Sequence, residues 1–233
     1  KARESIQLST FKPFCRNVVC NPGQIAHGGV AVLVKPELNP ERLVLDTELQ
    51  AVAVKINIVR PLVLCSLYVQ ERDGVSREQI QELIEQLGDN FLLGGDFNAH
   101  SPAWGHTDTN NLGNIMEDIL HDNDLVLLNN GEATHYNGRL MRWSTLDLTV
   151  AKGLNTATNW HTYPDLANSD HLPIIYSVYR WHGGSPSIHQ RRLLEHKADW
   201  EKYQSLSRSV SFDPTDPDPV SRFNRQILEV AEQ

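Results

Sequence analysis

Apolar positions fall into short runs separated by polar turns, and the spacing of those runs predicts the elements. GGVAVLVK (28–35) is a glycine pair leading into a valine-rich run, the pattern of a buried strand. LQAVAVKINI (49–58) alternates in part and predicts a second strand; LVLCSLYV (62–69), just past Pro61, predicts a third. SREQIQELIEQLG (76–88) has helical spacing. Ile80, Leu83, Ile84 and Leu87 share one face, Ser76 is placed to cap the start and Gly88 to end it. FLLGGDFNAH (91–100) reads as a strand running into a polar end, and NLGNIMEDILHDND (111–124) as a helix. LVLLN (125–129), STLDLTVAK (144–152) and HLPIIYSVYR (171–180) predict three more strands. Strands outnumber helices and interleave with them, so the expected class is α/β (α+β), layered. Near residue 182 the pattern changes. HGGSPS (182–187) reads as a linker, and KADWEKYQSL (197–206) and DPVSRFNRQILEVAEQ (218–233) as helices. The expected domains are therefore 1–181 and a linker with a helical segment over 182–233.

Composition narrows the function. The 233 residues are 40% apolar and 21% charged, which excludes a disordered chain. No apolar run approaches the roughly 18 residues of a membrane helix, and Lys1–Thr10 lacks the apolar core of a signal peptide. Cys15, Cys20 and Cys65 are too few for a disulfide scaffold and form no CxxC pair, so a zinc ribbon is not expected and a reducing, intracellular compartment is. The net charge of -8 argues against a protein that simply coats nucleic acid. The excess sits between residues 91 and 180, where ten acidic side chains face four basic ones. An acidic solvated surface explains such an excess, and so does a set of carboxylates around a divalent cation.

Several predicted strands carry polar groups that a buried strand does not accept unless they are paired or hold a metal. Asp96 and Asn98 follow Leu93-Gly94-Gly95 and, on an extended chain, point to one face. Asp147 lies inside STLDL; Asp170 and His171 stand just before the last strand. An adjacent Asp and His can place a carboxylate to orient an imidazole. Tyr68 ends the third strand. Singly, each has an ordinary explanation as a turn, a cap or core packing. Four strands delivering a polar group at an end or break make a stronger pattern.

GGDFNAH (94–100), STLDL (144–148), SDHLPI (169–174) and SLY (66–68) together resemble the motifs of the exonuclease–endonuclease–phosphatase (DNase I-like) superfamily. NAHSPAWG (98–105), the NxxGxxM run ending at Met116 and LLNNGEATHY (127–136) resemble the endonuclease domain of non-LTR (LINE-like) retrotransposon polyproteins, over about residues 1–180. The tail is similar to the stretch that joins such a nuclease to a reverse transcriptase. The resemblance implies a four-layer sandwich of two mixed β-sheets flanked by helices, with the site at one rim. It implies Mg²⁺, with Mn²⁺ as a substitute, on Asp96, Asn98 and Asp170. Asp96 would activate water and Asn98 would position water or phosphate. Asp170 would fix the tautomer of His171, which would bind or protonate the phosphate. Asp147 would serve on the metal side or the His side, and Tyr68 would donate to a phosphate oxygen. Thr134 and Ser144 would support the site, and Arg139 and Arg142 would touch backbone phosphates.

The implied product is a DNA nick whose 3′-hydroxyl primes reverse transcription of the element's RNA. The implied partners are DNA, that RNA and a reverse transcriptase in the same polyprotein; no membrane is involved, and the implied location is nuclear. One departure stands out: the family's opening strands, ending in an Asn and in the Glu of a QET motif, are not present, and Glu4 is a poor substitute. The expectation is a start truncated before that Glu, with one or two strands missing. Two rival readings remain: an abasic-site nuclease or phosphoesterase of the same superfamily, and a catalytically impaired scaffold that binds a partner.

Overall fold

A computed structural model describes residues 10–17, 28–58, 60–154, 156–179, 200–208 and 210, with Arg222 and Gln226. The chain divides into two compact units, Lys1–Arg191 and Arg192–Gln233. In the second, α3 (Trp200–Ser207) forms where KADWEKYQSL predicts a helix. The linker and all but two residues of the last predicted helix lie outside the described residues.

In the first unit, a six-stranded mixed sheet has the order β3-β4-β5-β6-β10-β7. Its strands are β3 (Glu41–Leu43), β4 (Gln50–Asn57), β5 (Pro61–Tyr68), β6 (Phe91–Asp96), β7 (Val126–Leu127) and β10 (Asp147–Lys152). Two-stranded antiparallel pairs form beside it: β1 (Lys12–Arg16) with β2 (Val30–Val34), β8 (His135–Asn137) with β9 (Arg142–Ser144), and β11 (Thr156–Thr162) with β12 (Ile174–Tyr179). Among the described strands only β5 and β6 run parallel, and α1 (Arg77–Leu87) makes the crossover that such a pair requires. Ser76 caps α1 in a reciprocal capping box with Gln79.

Strand period explains the layers. In β4, Ala51 and Ala53 face one core, with Ile80, Leu83, Phe91, Leu148 and Met116. Val52, Val54 and Ile56 face the other, with Phe14, Val30 and Val34 of the β1–β2 pair. Helices therefore cover one face of the large sheet and short β pairs the other. A cleft of about 360 Å³ lies between β2 and β12 on the second face and reaches Asp147.

The apolar runs mark the central strands, while β1, β3, β8, β9 and β11 carry no such signal. The run over 125–129 shrinks to Val126–Leu127. The strand predicted over 91–100 stops at Asp96 because Asn98 takes a left-handed conformation, φ +47°.

Candidate active site

The sheet register itself assembles the first half of the site. Tyr68 is the Cα partner of Asp96 across the parallel β5–β6 pair, and Asp96 is the partner of Asp147 across the antiparallel β6–β10 pair. Three strand ends thus place Tyr68, Asp96 and Asp147 in one transverse row. Gly95, just before Asp96, has φ +152°, and a Cβ there would sit 1.9 Å from the Leu67 carbonyl oxygen. Only glycine lets β6 approach β5 this closely.

Asn98 does not share a strand face with Asp96, as an extended chain would require. Its left-handed backbone folds the chain back, so its amide N–H donates to Asp96 Oδ1 at 3.1 Å and its Nδ2 donates to the Val69 carbonyl at 2.9 Å. Asn110 fastens this loop: Nδ2 donates to the Asn98 carbonyl, and Oδ1 accepts from the amides of His100 and Gly113 while capping α2 (Asn111–Asp122). The NxxGxxM run owes its spacing to this docking. A Cβ on Gly113 would lie 1.8 Å from the His100 carbonyl, and Met116 is buried.

The second half is held by Thr134, which is fully buried. Its Oγ1 accepts from the amides of Leu146 and Asp147, both at 3.1 Å. Its carbonyl accepts from Leu172, and Tyr136 donates to the carbonyl of Asp170. His135 and His171 form an isolated antiparallel bridge between these bonds. The result brings the His171 ring to the carboxylate row: Nδ1 is 2.8 Å from Asp147 Oδ2 and Nε2 is 4.0 Å from Asp96 Oδ2.

This corrects the expected role of Asp170. Asp170 lies in a bend and its carboxylate is 72% exposed, with Oδ2 3.9 Å from His135 Nε2, whereas Asp147 Oδ2 is the carboxylate oxygen at hydrogen-bond distance, 2.8 Å, from His171 Nδ1. Asp147 thereby resolves to the His side. Ser144 Oγ lies 2.9 Å from His135 Nδ1. Arg139 and Arg142 are exposed on the β8–β9 hairpin. Trp104 is buried and donates to the Ala99 carbonyl, while His100 stacks on His106 at 3.8 Å. His135, which the sequence did not single out, lies beside His171; its one signal is its position between Thr134 and the predicted loop.

The electrostatics follow from this packing. Burial, reinforced by the Asp147 charge, pushes the Asp96 carboxyl up to about 6, against the Asn98 amide and His171, which lower it. The hydrogen bond that His171 donates to Asp147 raises His171. Burial and the neighbouring His171 charge lower His135, and burial followed by the Asp96 charge raises Tyr68.

Oxygen donors at this point suit a hard cation. Asp96 pays a charge penalty that a cation relieves, and Asn98 packs beside it with its amide N–H on Oδ1. The Asp170 carboxylate is not gathered with them. It falls instead in a second cluster, with His135 and His171, whose ligand atoms lie within 4.8 Å of one another. That nitrogen-rich set suits a borderline metal such as zinc better than magnesium.

Paired carboxylates and an imidazole bonded to one of them thus meet at the rim of a mixed sheet, an arrangement suited to phosphoester chemistry. Comparison with known proteins agrees. Residues 62–175 match the family model described as endonuclease-reverse transcriptase. That stretch, a little under half of the chain, is similar to this family. The RNA-directed DNA polymerase from mobile element jockey of Drosophila funebris is 26% identical over 208 residues, 85% of this chain and 22% of that protein. The probable RNA-directed DNA polymerase from transposon BS of Drosophila melanogaster is 28% identical over 155 residues, 65% of this chain and 17% of that protein. The chain thus spans about a fifth of the length of the curated relatives it matches. Among solved structures, the endonuclease domain of TRAS1, a telomere-specific non-LTR retrotransposon, superposes with a TM-score of 0.57 at 21% identity, covering 71% of this chain and 78% of that one. An endonuclease/exonuclease/phosphatase family protein from Leptotrichia buccalis gives 0.54 at 17% identity, covering 74% and 73%.

Proposed function

We propose that this domain hydrolyses a DNA phosphodiester in a divalent-metal-dependent reaction, leaving a nick with a 3′-hydroxyl and a 5′-phosphate. The observation that carries the proposal is the convergence of Asp96, Asp147 and His171, with Asp147 bonded to Nδ1 of the imidazole. Asp96 and the Asn98 amide oxygen would hold Mg²⁺, or Mn²⁺ in its place; when bound, the cation polarises the phosphoryl group and stabilises the leaving oxygen.

The chain's own residues do the rest. Asp96 accepts the proton of the attacking water, whose oxygen bonds to phosphorus as the P–O3′ bond breaks, and the departing O3′ takes a proton from solvent to give the 3′-hydroxyl. Asp147 keeps a proton on Nδ1 of His171, so that protonated Nε2 faces the phosphate and stabilises its developing charge. Tyr68, in line with Asp96, donates its hydroxyl to a non-bridging oxygen. Arg139 and Arg142 contact flanking phosphates from the hairpin.

The 3′-hydroxyl then primes synthesis on the element's RNA by a reverse transcriptase of the same polyprotein, which requires access to chromosomal DNA in the nucleus. The test is nicking of supercoiled plasmid with Mg²⁺, with Mn²⁺ and with chelator, by this chain and by a version extended upstream in its natural reading frame. His171→Ala runs beside both. Metal-dependent open circles that vanish in the variant support the reading. Cleavage confined to an abasic oligonucleotide moves the substrate to damaged DNA, and metal-independent nicking, equal in the variant, overturns it.

A further inference from the structure

His135 sits against His171 yet has no part in the chemistry described above. Their ring centroids are 4.8 Å apart at 54°, and the two residues are joined by the backbone bridge. The side chain of His135 is 14% exposed, so the ring is packed in place but open at one edge. Its two nitrogens have different surroundings. Nδ1 is within 2.9 Å of the Ser144 hydroxyl. Nε2 faces the Asp170 carboxylate at 3.9 Å, beyond hydrogen-bond reach. An anionic acceptor opposite Nε2 favours the tautomer with its proton there, and the Ser144 hydroxyl, free to rotate, then donates to Nδ1. In that state His135 is a neutral donor, held by Ser144, with a proton on the open edge and a loosely held partner.

We propose that His135 is a second phosphate-contacting residue: its Nε2–H and that of His171 grip two oxygens of one phosphodiester, and Ser144 sets the tautomer that makes this possible. A ring nitrogen of His135 and one of His171 lie within 4.8 Å of each other. Two rings set this close, their centroids 4.8 Å apart, can present one donor each to the non-bridging oxygens of a single phosphate, with contacts of about 2.8 Å. The phosphate oxygen replaces the distant Asp170 carboxylate, whose exposed side chain swings aside. The inference rests on the nuclease reading for its substrate, but not for the contact itself, which any phosphodiester bound at this rim would make.

Two measurements on the 233-residue chain separate the inference from that reading. In the first, nicking kinetics compare wild type with His135→Leu, His135→Gln and Ser144→Ala. Glutamine places an N–H near the Nε2 position, whereas leucine only fills space. The expected result is a roughly tenfold rise in KM for leucine with kcat within about twofold, recovery of most of the loss by glutamine, and a smaller rise for Ser144→Ala. Equal loss in the leucine and glutamine variants, with unchanged thermal unfolding, means that the ring only packs against His171 and overturns the proposal, as does a wild-type KM in His135→Leu. The second measurement follows imidazole ¹⁵N resonances while a short DNA duplex is added without metal. A shift at His135 Nε2 supports the contact even if wild type fails to nick, in which case the nuclease reading alone falls. No shift, beside normal nicking, leaves the nuclease reading intact and removes His135 from it.

Discussion

Replacing Asp96 by Asn should make the protein more stable at neutral pH while abolishing the proposed activity. The wild-type carboxyl is buried beside Asp147, which moves it from the ordinary 3.8 to about 6. Its ionised form is therefore disfavoured in the folded state by about 3 kcal/mol, at roughly 1.4 kcal/mol per tenfold change in proton affinity. The sign follows from linkage. Below about pH 4 the group is protonated both folded and unfolded and costs nothing. Between about 4 and 6 the folded state binds more protons than the unfolded, so stability falls as pH rises, and above about 6 the full cost is present. Asparagine is nearly isosteric with the protonated acid and still accepts the Asn98 amide at its Oδ1. Urea unfolding in the absence of metal should therefore show the two proteins equal within about 0.5 kcal/mol at pH 4, and Asp96→Asn ahead by about 2–3 kcal/mol at pH 8. Added Mg²⁺ should narrow the gap by stabilising wild type alone. A variant no more stable than wild type at pH 8 would refute the claim that this carboxylate is held under electrostatic strain.

Three further outcomes follow from the same geometry. Asp147→Asn removes the carboxylate that raises His171, so the imidazole titration followed by NMR should move to lower pH, with a fall of about 100-fold or more in kcat; an unmoved titration would show that the 2.8 Å bond has no electrostatic effect. Thr134→Val keeps the shape but leaves the amides of Leu146 and Asp147 without their acceptor, so unfolding should show a loss of about 2 kcal/mol, and a neutral result would mean those amides find other partners. Gly113→Ala drives a Cβ to within 1.8 Å of the His100 carbonyl, so α2 must shift, at a cost of about 1–3 kcal/mol and with weaker metal binding through the displaced Asn98 loop; unchanged thermal unfolding and Mg²⁺ affinity would show that the helix is not docked there.

The parts of this site that stood out in the sequence are those where chemistry conflicts with environment. Asp96 and Asp147 are acids set against apolar runs, and His171 follows an acid at a strand mouth, so each draws notice without any knowledge of the fold. The central strands were legible for the same reason, since a valine-rich run has few alternatives to burial. What the chain hid depends on distant partners. The Asp147–His171 pair spans 24 residues and exists because the buried Thr134 ties both segments to one short strand. That strand, β8, is polar and three residues long, with no periodicity to announce it. Asp170, the sequence neighbour of His171, draws the pairing by proximity along the chain, but it sits in a bend with its exposed carboxylate toward His135. Asn98 was misread for a related reason: its spacing from Asp96 implies a shared face only while the backbone stays extended, and a left-handed turn ends that condition.

The central claim is that Asp96, Asp147 and His171 act as one phosphodiesterase site, and end-group analysis of the nicked product tests it most directly. Plasmid opened by the upstream-extended protein in Mg²⁺ should be resealed by DNA ligase, because hydrolysis at the 3′-oxygen side leaves adjoining 3′-hydroxyl and 5′-phosphate ends. Single substitutions Asp96→Asn, Asp147→Asn and His171→Ala should each abolish the ligatable nick. Nicks that ligase cannot close, or ligatable nicks that persist when any one of the three is replaced, would contradict it.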